Sequence, residues 1–146
     1  MNVEIEKIDF LSTRYFQSLD VRYNVLRKPL NLRFNRTDLS VDKDSVLFVA
    51  KIENRVVGTL ILTQVSNESY KMRQVAVLED FASNGIGGLL VKDCEKYALE
   101  NSKNHIELNA RKSAISFYLK LGYSIVSDEF YEVNIPHYKM KKELLS

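Results

Sequence analysis

Midway along the chain stands the stretch Asn84-Gly85-Ile86-Gly87-Gly88, a glycine window that holds three of the chain's five glycines. An amphipathic helical pattern starts directly behind it, with Leu90, Cys94 and Tyr97 along one face. Because glycine has no Cβ, several backbone N–H groups can approach one anion there, and the dipole at the start of a helix favours negative charge. The window therefore predicts a phosphate-binding loop that leads into a helix over residues 85–101.

Two familiar phosphate-binding motifs do not fit this window. The P-loop ends in Gly-Lys-Ser/Thr, whereas Gly88 is followed by Leu89 and Leu90. The dinucleotide fingerprint needs a third glycine where Leu90 stands, and it belongs to a parallel βαβ repeat that the preceding residues do not show. An ordinary glycine turn at the start of a helix stays open as the alternative for this window taken alone.

The composition is that of one globular domain. The chain has 146 residues, of which 45% are hydrophobic and 27% charged, and this is enough for a buried core. A net charge of +2 is too small to indicate nucleic-acid binding. The single Cys94 excludes a disulfide framework and, with only two histidines, argues against a metal site. The first residues are charged, and no stretch approaches the roughly 20 apolar residues of a membrane span. We therefore expect a cytoplasmic protein with no membrane partner.

Working outward from the window, apolar periodicity and turn residues predict the other elements. Before the window we expect a strand over residues 3–8 and then a helix over 12–28, which has Phe16, Leu19, Tyr23 and Leu26 at helical spacing and which Pro29 ends. A loop or short helix over 31–44, a hairpin of strands 45–52 and 56–63, and a strand over 70–77 should follow. After the window we expect a strand over 105–110, a helix over 112–121 that Gly122 ends, and strands over 124–132 and 138–143. This order predicts an α+β fold with a mostly antiparallel sheet and one βαβ crossover around the window.

Residues 77–90, which include the glycine window, resemble the acyl-CoA loop of the GNAT superfamily of N-acetyltransferases. That family carries Arg/Gln-x-x-Gly-x-Gly/Ala between a strand and a helix. The spacing and the Gly-x-Gly agree, while Ala82 stands where the family usually has Arg or Gln. In the family that side chain helps to hold the loop on a pyrophosphate, so the resemblance implies a cradle made here by the backbone.

A second segment is similar to the same family. Residues 109–123 contain Ala114-x-x-Phe117-Tyr118 and then Gly122-Tyr123, which resembles the closing motif of the superfamily. The two motifs occur in the family's order with one predicted strand between them.

A third similarity narrows the resemblance to the bacterial ElaA-like branch. It rests on residues 108–111 and 130–140, with Arg111 in place of Gln and Asn134 in place of Gly. Because Asn tolerates a positive φ better than most residues, we expect the turn at Asn134 to be kept.

The resemblance implies the acyl-CoA N-acyltransferase fold, in which helices flank a mixed, mostly antiparallel sheet, as a single domain over residues 1–146. It implies direct transfer of the acetyl group of acetyl-CoA to a primary amine of a small molecule or peptide in a ternary complex, without a metal. The positions that match the family's coenzyme A contacts are Asn84, Gly85, Ile86, Gly87 and Gly88 for the pyrophosphate, Val75, Ala76 and Val77 for the pantetheine arm, and Asn109 as a further hydrogen-bonding partner.

Tyr118 matches the position of the family's general acid. A tyrosine phenol, whose ordinary pKa is about 10, is suited to protonate a departing thiolate. A tyrosine that only packs between helix and sheet is the alternative. We favour the catalytic role because Phe117, with Ala114 and Leu121, is expected to take the core-facing position.

Glu132 and His137 flank the last turn and are the candidates for the general base. An amine acceptor needs one, because only about one amine in a thousand is neutral at pH 7. Histidine is the side chain that ordinarily titrates nearest that pH. For both residues, and for Glu107, a solvated surface side chain stays open as the alternative.

Other functions stay open as well. They are a non-catalytic acyl-CoA-binding or regulatory domain, an acyltransferase that uses a longer acyl-CoA, and a structural domain that binds no acyl-CoA. Cys94 is expected to pack in the core. Arg33 and Arg36 hint at an anionic acceptor, although solvated loop charges explain them too. Two copies pairing through the C-terminal strands, common in the family, is a further option.

Overall fold

The structure, a computed structural model, describes residues 2–32 and 36–145, and for residues 36–38 it describes the backbone alone. The chain divides into two compact units. Unit 1 combines the residues up to Thr63 with Met72–Cys94, and unit 2 combines Gln64–Lys71 with the residues from Glu95 onward.

Unit 1 is built on an antiparallel set of strands. The strand β1 (Val3–Ile8) pairs with β2 (Val46–Ile52), and β2 pairs with β3 (Arg55–Ser66). The hairpin between β2 and β3 turns through Glu53 and Asn54, both with positive φ, as in the tight turns that match the twist of paired strands. The core of this unit is lined by the apolar residues of β2 and β3, which are buried over most of their length.

The first helix buries only part of the apolar stripe predicted for it, because Leu19 and Leu26 pack against the core whereas Phe16 and Tyr23 are exposed. Helix α1 (Thr13–Arg22) begins at Ser12, whose side chain accepts a hydrogen bond from the Tyr15 backbone N–H. It continues as a π-helical turn over Tyr23–Arg27. The buried residues of α1 are Tyr15, Ser18, Val21 and Arg22, whereas Phe16 is 53% exposed.

A buried polar network accounts for the burial of Tyr15 and Arg22. Helix α2 (Arg36–Lys43) carries Asp42, whose Oδ2 accepts hydrogen bonds from the Tyr15 hydroxyl at 2.7 Å and from Arg22 Nη1 at 2.6 Å. Burial, together with the hydrogen bond to Asp42, raises the pKa of the Tyr15 phenol. Because breaking a buried ion pair leaves an uncompensated charge, this network fixes α1 against α2.

Strand β4 (Ser69–Val77) and helix α3 (Ile86–Glu100) each have residues in both units, with Met72–Cys94 in unit 1. Together with β5 (His105–Arg111) of unit 2, which pairs parallel with β4, they form the predicted βαβ crossover. Strand β5 pairs antiparallel with β8 (Ile135–Glu143) along its whole length. Helix α4 (Ile115–Lys120) lies between β5 and β6 (Ser124–Ile125), and β7 (Phe130–Glu132) precedes β8.

The strands follow the order β1-β2-β3-β4-β5-β8-β6, with β7 also paired to β8. The predicted fold class, a mixed and mostly antiparallel sheet with flanking helices, is confirmed, because of the pairs described here only β4 with β5 is parallel. The predicted single strand over 124–132 is wrong. Residues 126–129 leave the strand where Ser127 Oγ accepts the Lys139 N–H, and β8 starts at Ile135 rather than at Tyr138. None of the described helices is both long and apolar enough to cross a bilayer.

Candidate functional site

The glycine window forms the start of a helix. Gly85 has φ 74°, and its carbonyl accepts the Leu89 N–H at 3.2 Å, so α3 begins at Ile86, one residue after the predicted start. A Cβ placed on Gly85 would meet nothing within 4 Å, which leaves this side of the loop open. Helix geometry gives the N–H groups of residues 85–88 no acceptor inside the helix. An open, glycine-lined set of backbone donors fits a phosphate group.

Close packing beneath the window holds it in place. Ile86 and Leu90 are completely buried. A Cβ on Gly58 of β3 would lie 3.1 Å from Leu90 Cδ1 and 3.3 Å from Ala50 Cβ, closer than side chains normally pack. The glycine at position 58 therefore lets α3 approach the sheet, and this fixes the position of the window relative to β4.

The strand before the window carries a distortion that the sequence did not predict. Gln74 has φ 55°, a left-handed conformation in the middle of β4, directly before the proposed pantetheine contacts at Val75, Ala76 and Val77. Backbone outliers of this kind tend to occur at functional sites. Gln is not a residue that favours positive φ, so no sequence signal indicated this position.

Strand β4 also pairs with β5, over the first three residues of each strand. The parallel pairing of β4 with β5 joins Ser69, Tyr70 and Lys71 to His105, Ile106 and Glu107. The residues from Val75 to Val77 lie beyond this ladder. Ala76 is buried, and Val75 and Val77 are half-buried.

Tyr118 takes the position expected for Phe117. Tyr118 is the buried residue of α4, at 7% exposure, while Phe117 is half-buried. The Tyr118 ring packs edge-on against the rings of Phe117 and Tyr123, with centroids 4.9 and 5.9 Å away. The expectation that Phe117 faces the core and Tyr118 lies to its side is therefore wrong. Gly122, with φ 96°, ends the helix as predicted.

The last hairpin brings Glu132 and His137 together. His137 is buried, and its Nδ1 lies 2.7 Å from the Ile135 carbonyl oxygen. Because a carbonyl only accepts, Nδ1 carries the proton, and Nε2 faces Glu132 Oε2 at 3.4 Å. The ring of Phe130 stacks on the imidazole with centroids 5.9 Å apart. The imidazole is thus fixed in orientation, and Glu132 is 51% exposed beside it.

The turn of this hairpin is made by Val133 and Asn134, with φ 47° and 62°. The prediction that Asn134 keeps a positive φ is confirmed. Val133 adopts the same left-handed region, which is strained for a β-branched residue. The turn places Glu132 directly opposite Ile135 in the β7–β8 ladder.

Asn109 and Glu107 lie on one face of β5. Asn109 is half-buried and stands opposite Lys139 in the ladder with β8. Glu107 Oε2 forms an ion pair with Lys139 Nζ at 2.8 Å, so a structural pairing accounts for this carboxylate. Arg33 lies outside the described residues, and so does the side chain of Arg36.

A family model described as "Acetyltransferase (GNAT) domain" matches residues 25–144. The chain belongs to this family. The resemblance to the GNAT superfamily is therefore confirmed.

Relatives and solved structures agree with that membership. The uncharacterized N-acetyltransferase YjcF of Bacillus subtilis is 38% identical over 74 residues, which are 50% of this chain and 53% of YjcF. This chain thus aligns with about half the length of that curated relative. The structure of Escherichia coli ElaA has a TM-score of 0.81 at 18% identity, covering 97% of this chain and 100% of ElaA. A GNAT family acetyltransferase from Elizabethkingia anophelis with acetyl-CoA bound has a TM-score of 0.78 at 19% identity, covering 98% and 99%. At these identities the two structures establish the fold.

Proposed function

We propose that this chain is an N-acetyltransferase, a single GNAT domain that moves the acetyl group of acetyl-CoA directly to a primary amine of a small molecule or peptide. The observation that carries the proposal is the open glycine window at the start of α3, in a chain that belongs to the GNAT acetyltransferases. The protein from Elizabethkingia anophelis, which shares the fold, has acetyl-CoA bound, and this supports the choice of donor.

Coenzyme binding would rest on the backbone. The N–H groups of residues 85–88 would hold the pyrophosphate, while the Asn84 N–H donates to the Phe81 carbonyl and Asn84 would contribute to the loop's position. The backbone of Val75, Ala76 and Val77 would pair with the pantetheine arm. The left-handed Gln74 supports this reading, because a bulge redirects the backbone groups that follow it. Bound acetyl-CoA would supply the acetyl group as a thioester, and backbone N–H groups near its carbonyl would stabilise negative charge on the oxygen. Asn109 is a further proposed contact to the arm or the acceptor.

Proton transfer would rest on side chains of unit 2. Tyr118 would donate its phenolic proton to the departing sulfur while the new C–N bond replaces the C–S bond. His137 and Glu132 would take the proton that the amine loses. The geometry supports a pair: with the proton on Nδ1, the His137 Nε2 has a lone pair for the incoming proton, and Glu132 is close enough to stabilise the resulting imidazolium.

A second candidate function is an acyl-CoA-binding or regulatory domain without turnover. Ala82 favours it, because a methyl group adds no contact to a phosphate where the family has Arg or Gln. An acyltransferase for a longer acyl-CoA is a variant of the leading proposal.

Binding and turnover separate these functions. We expect millimolar acetyl-CoA to raise the melting temperature, and one or more amines in a broad panel to release coenzyme A. Tight binding with release at background across the panel would favour the non-catalytic domain. No thermal stabilisation by acetyl-CoA, CoA or a longer acyl-CoA would overturn both functions.

A further inference from the structure

The segment around the glycine window carries no positive side chain of its own. Between Arg73 and Lys92 the sequence has no Lys or Arg, while Glu79 and Asp80 are exposed on the turn that leads into the window. A diphosphate is strongly anionic, and helix N–H groups offer only partial positive charge. A cation from another element would offset the two carboxylates.

Arg55 is held against this segment. It is the first residue of β3, it is exposed, and its guanidinium carbon lies 5.6 Å from the centroid of the Phe81 ring. Among the described residues, that ring is the partner of the guanidinium. A contact with the face of a ring takes up none of the five N–H donors of a guanidinium, so these stay available for a phosphate.

Backbone hydrogen bonds connect Arg55 to the window. The N–H of Leu78 donates to the carbonyl of Val57 at 2.8 Å, which joins the end of β4 to the start of β3. The carbonyl of Phe81 accepts the N–H of Asn84 at 3.3 Å, which joins the ring's own residue to the first residue of the window. Phe81 therefore links Arg55 to the window, by its ring on one side and its backbone carbonyl on the other.

We propose that Arg55 is the coenzyme-binding cation of this chain: its guanidinium contacts the turn through the Phe81 ring and donates to the diphosphate of coenzyme A. It thereby fills the role left open by Ala82, from a different strand. This inference rests on the proposed use of acetyl-CoA.

Titration calorimetry measures binding directly and therefore tests the role of Arg55 without any need for turnover. We would measure Kd for acetyl-CoA, for acetyl-3′-dephospho-CoA and for S-acetylpantetheine with the wild type, Arg55→Ala, Arg55→Lys and Lys92→Ala. Lys92 is an exposed cation on α3, so its loss removes the same charge without touching Phe81. We expect Arg55→Ala to raise Kd about tenfold for both diphosphate ligands and to leave S-acetylpantetheine unchanged. Arg55→Lys should lose less, and Lys92→Ala less than about twofold.

A rescue variant makes the role specific. Ala82→Arg restores the family's side chain, so adding it to Arg55→Ala should recover most of the lost affinity. Melting curves without ligand would identify a variant that fails to fold. If Arg55→Ala fails to fold, Arg55→Lys and Phe81→Leu would be measured in its place, since each weakens the contact between the guanidinium and the ring.

The possible outcomes separate the role of Arg55 from the proposed use of acetyl-CoA. If the wild type binds none of the ligands, the proposed function fails. If the wild type binds acetyl-CoA and Arg55→Ala binds it equally well, only the role of Arg55 is overturned. Equal losses in Lys92→Ala, or an effect that disappears with the dephospho ligand, would also overturn it, because they indicate bulk charge or the 3′-phosphate.

Discussion

The glycine window of unit 1 and the last hairpin of unit 2 both turn the chain with left-handed residues, but they offer different groups to the proposed reaction. The window uses Gly85 at φ 74°, where an added Cβ would meet nothing within 4 Å, and offers the backbone N–H groups of a helix start. The hairpin uses Val133 at φ 47° and presents two side chains, Glu132 and His137, 3.4 Å apart. The proposed binding site in the window uses glycine, which tolerates positive φ, whereas the turn beside the proposed base pair uses a strained Val133. Changes in the window should therefore alter coenzyme affinity, and changes in unit 2 should alter turnover.

The largest effect is expected at Tyr118. Tyr118→Phe removes the proposed proton donor and keeps the ring that packs on Tyr123, so kcat should fall by about 200-fold while KM for acetyl-CoA stays within about twofold. The matched control is Tyr123→Phe, which removes only the hydroxyl that donates to Glu95 Oε2 at 2.8 Å. It should lower the melting temperature and leave kcat unchanged. Equal losses of kcat in both variants would refute a proton-donor role for Tyr118.

The second test asks whether Glu132 and His137 act as a pair. His137→Gln should lower kcat by about 100-fold and Glu132→Gln by about tenfold, because the carboxylate acts through the imidazole. The double variant should be no slower than His137→Gln alone, since residues that act together are not additive. Independent, additive losses would show instead that each side chain touches the substrate separately. Steady-state kinetics at saturating amine provides the measurement.

Gly85→Ala tests the window. An L-residue in the left-handed region costs about 1–2 kcal/mol, so the loop should relax away from its binding geometry and KM for acetyl-CoA should rise about tenfold at constant kcat. Gly122→Ala is the control, since it strains a left-handed turn of unit 2 and brings its Cβ to 3.2 Å from Lys142 Cε. That variant should melt earlier with an unchanged KM. A fall in kcat for Gly85→Ala would contradict the expectation that changes in the window alter coenzyme affinity and not turnover.

The smallest effect is expected at Val133, where the substitution should raise the stability of the protein and not lower it. Val133→Gly relieves a strained φ, and the gain of about 1–2 kcal/mol is partly offset by the backbone entropy of glycine, about 0.5–1 kcal/mol. The melting temperature should rise by about 2 °C with kcat unchanged. Calorimetry of the ligand-free protein measures it. A loss of kcat would mean that Val133 itself contacts the acceptor.

Most of the fold was predictable because its elements have clear periodicity. The alternation of β5 places Ile106, Leu108 and Ala110 in the core, and the glycine before α3 marks the start of that helix within one residue. The site residues were predicted only where a family motif or a turn residue marked them. Asn134 is such a position, because its preference for positive φ is a local property of the residue.

The failures concern properties that are not local. In a six-residue helix, a spacing of three or four cannot decide whether Phe117 or Tyr118 is buried, and tertiary packing chose Tyr118. The break after β6 depends on a hydrogen bond between Ser127 and Lys139, twelve residues apart. The left-handed Gln74 has no sequence signal at all, because the surrounding strand and not the side chain imposes it.

Cys94 gives the protein a practical property. It is the chain's one cysteine, completely buried, with Sγ 3.1 Å from the Val91 carbonyl oxygen and 3.8 Å from Met72 Sδ. A thiol in such surroundings is shielded from reagents. A colorimetric thiol reagent added to the folded protein would then report coenzyme A alone as it is released. In denaturant, the same reagent would count one sulfur for each unfolded chain, so a single chemistry would measure both turnover and stability.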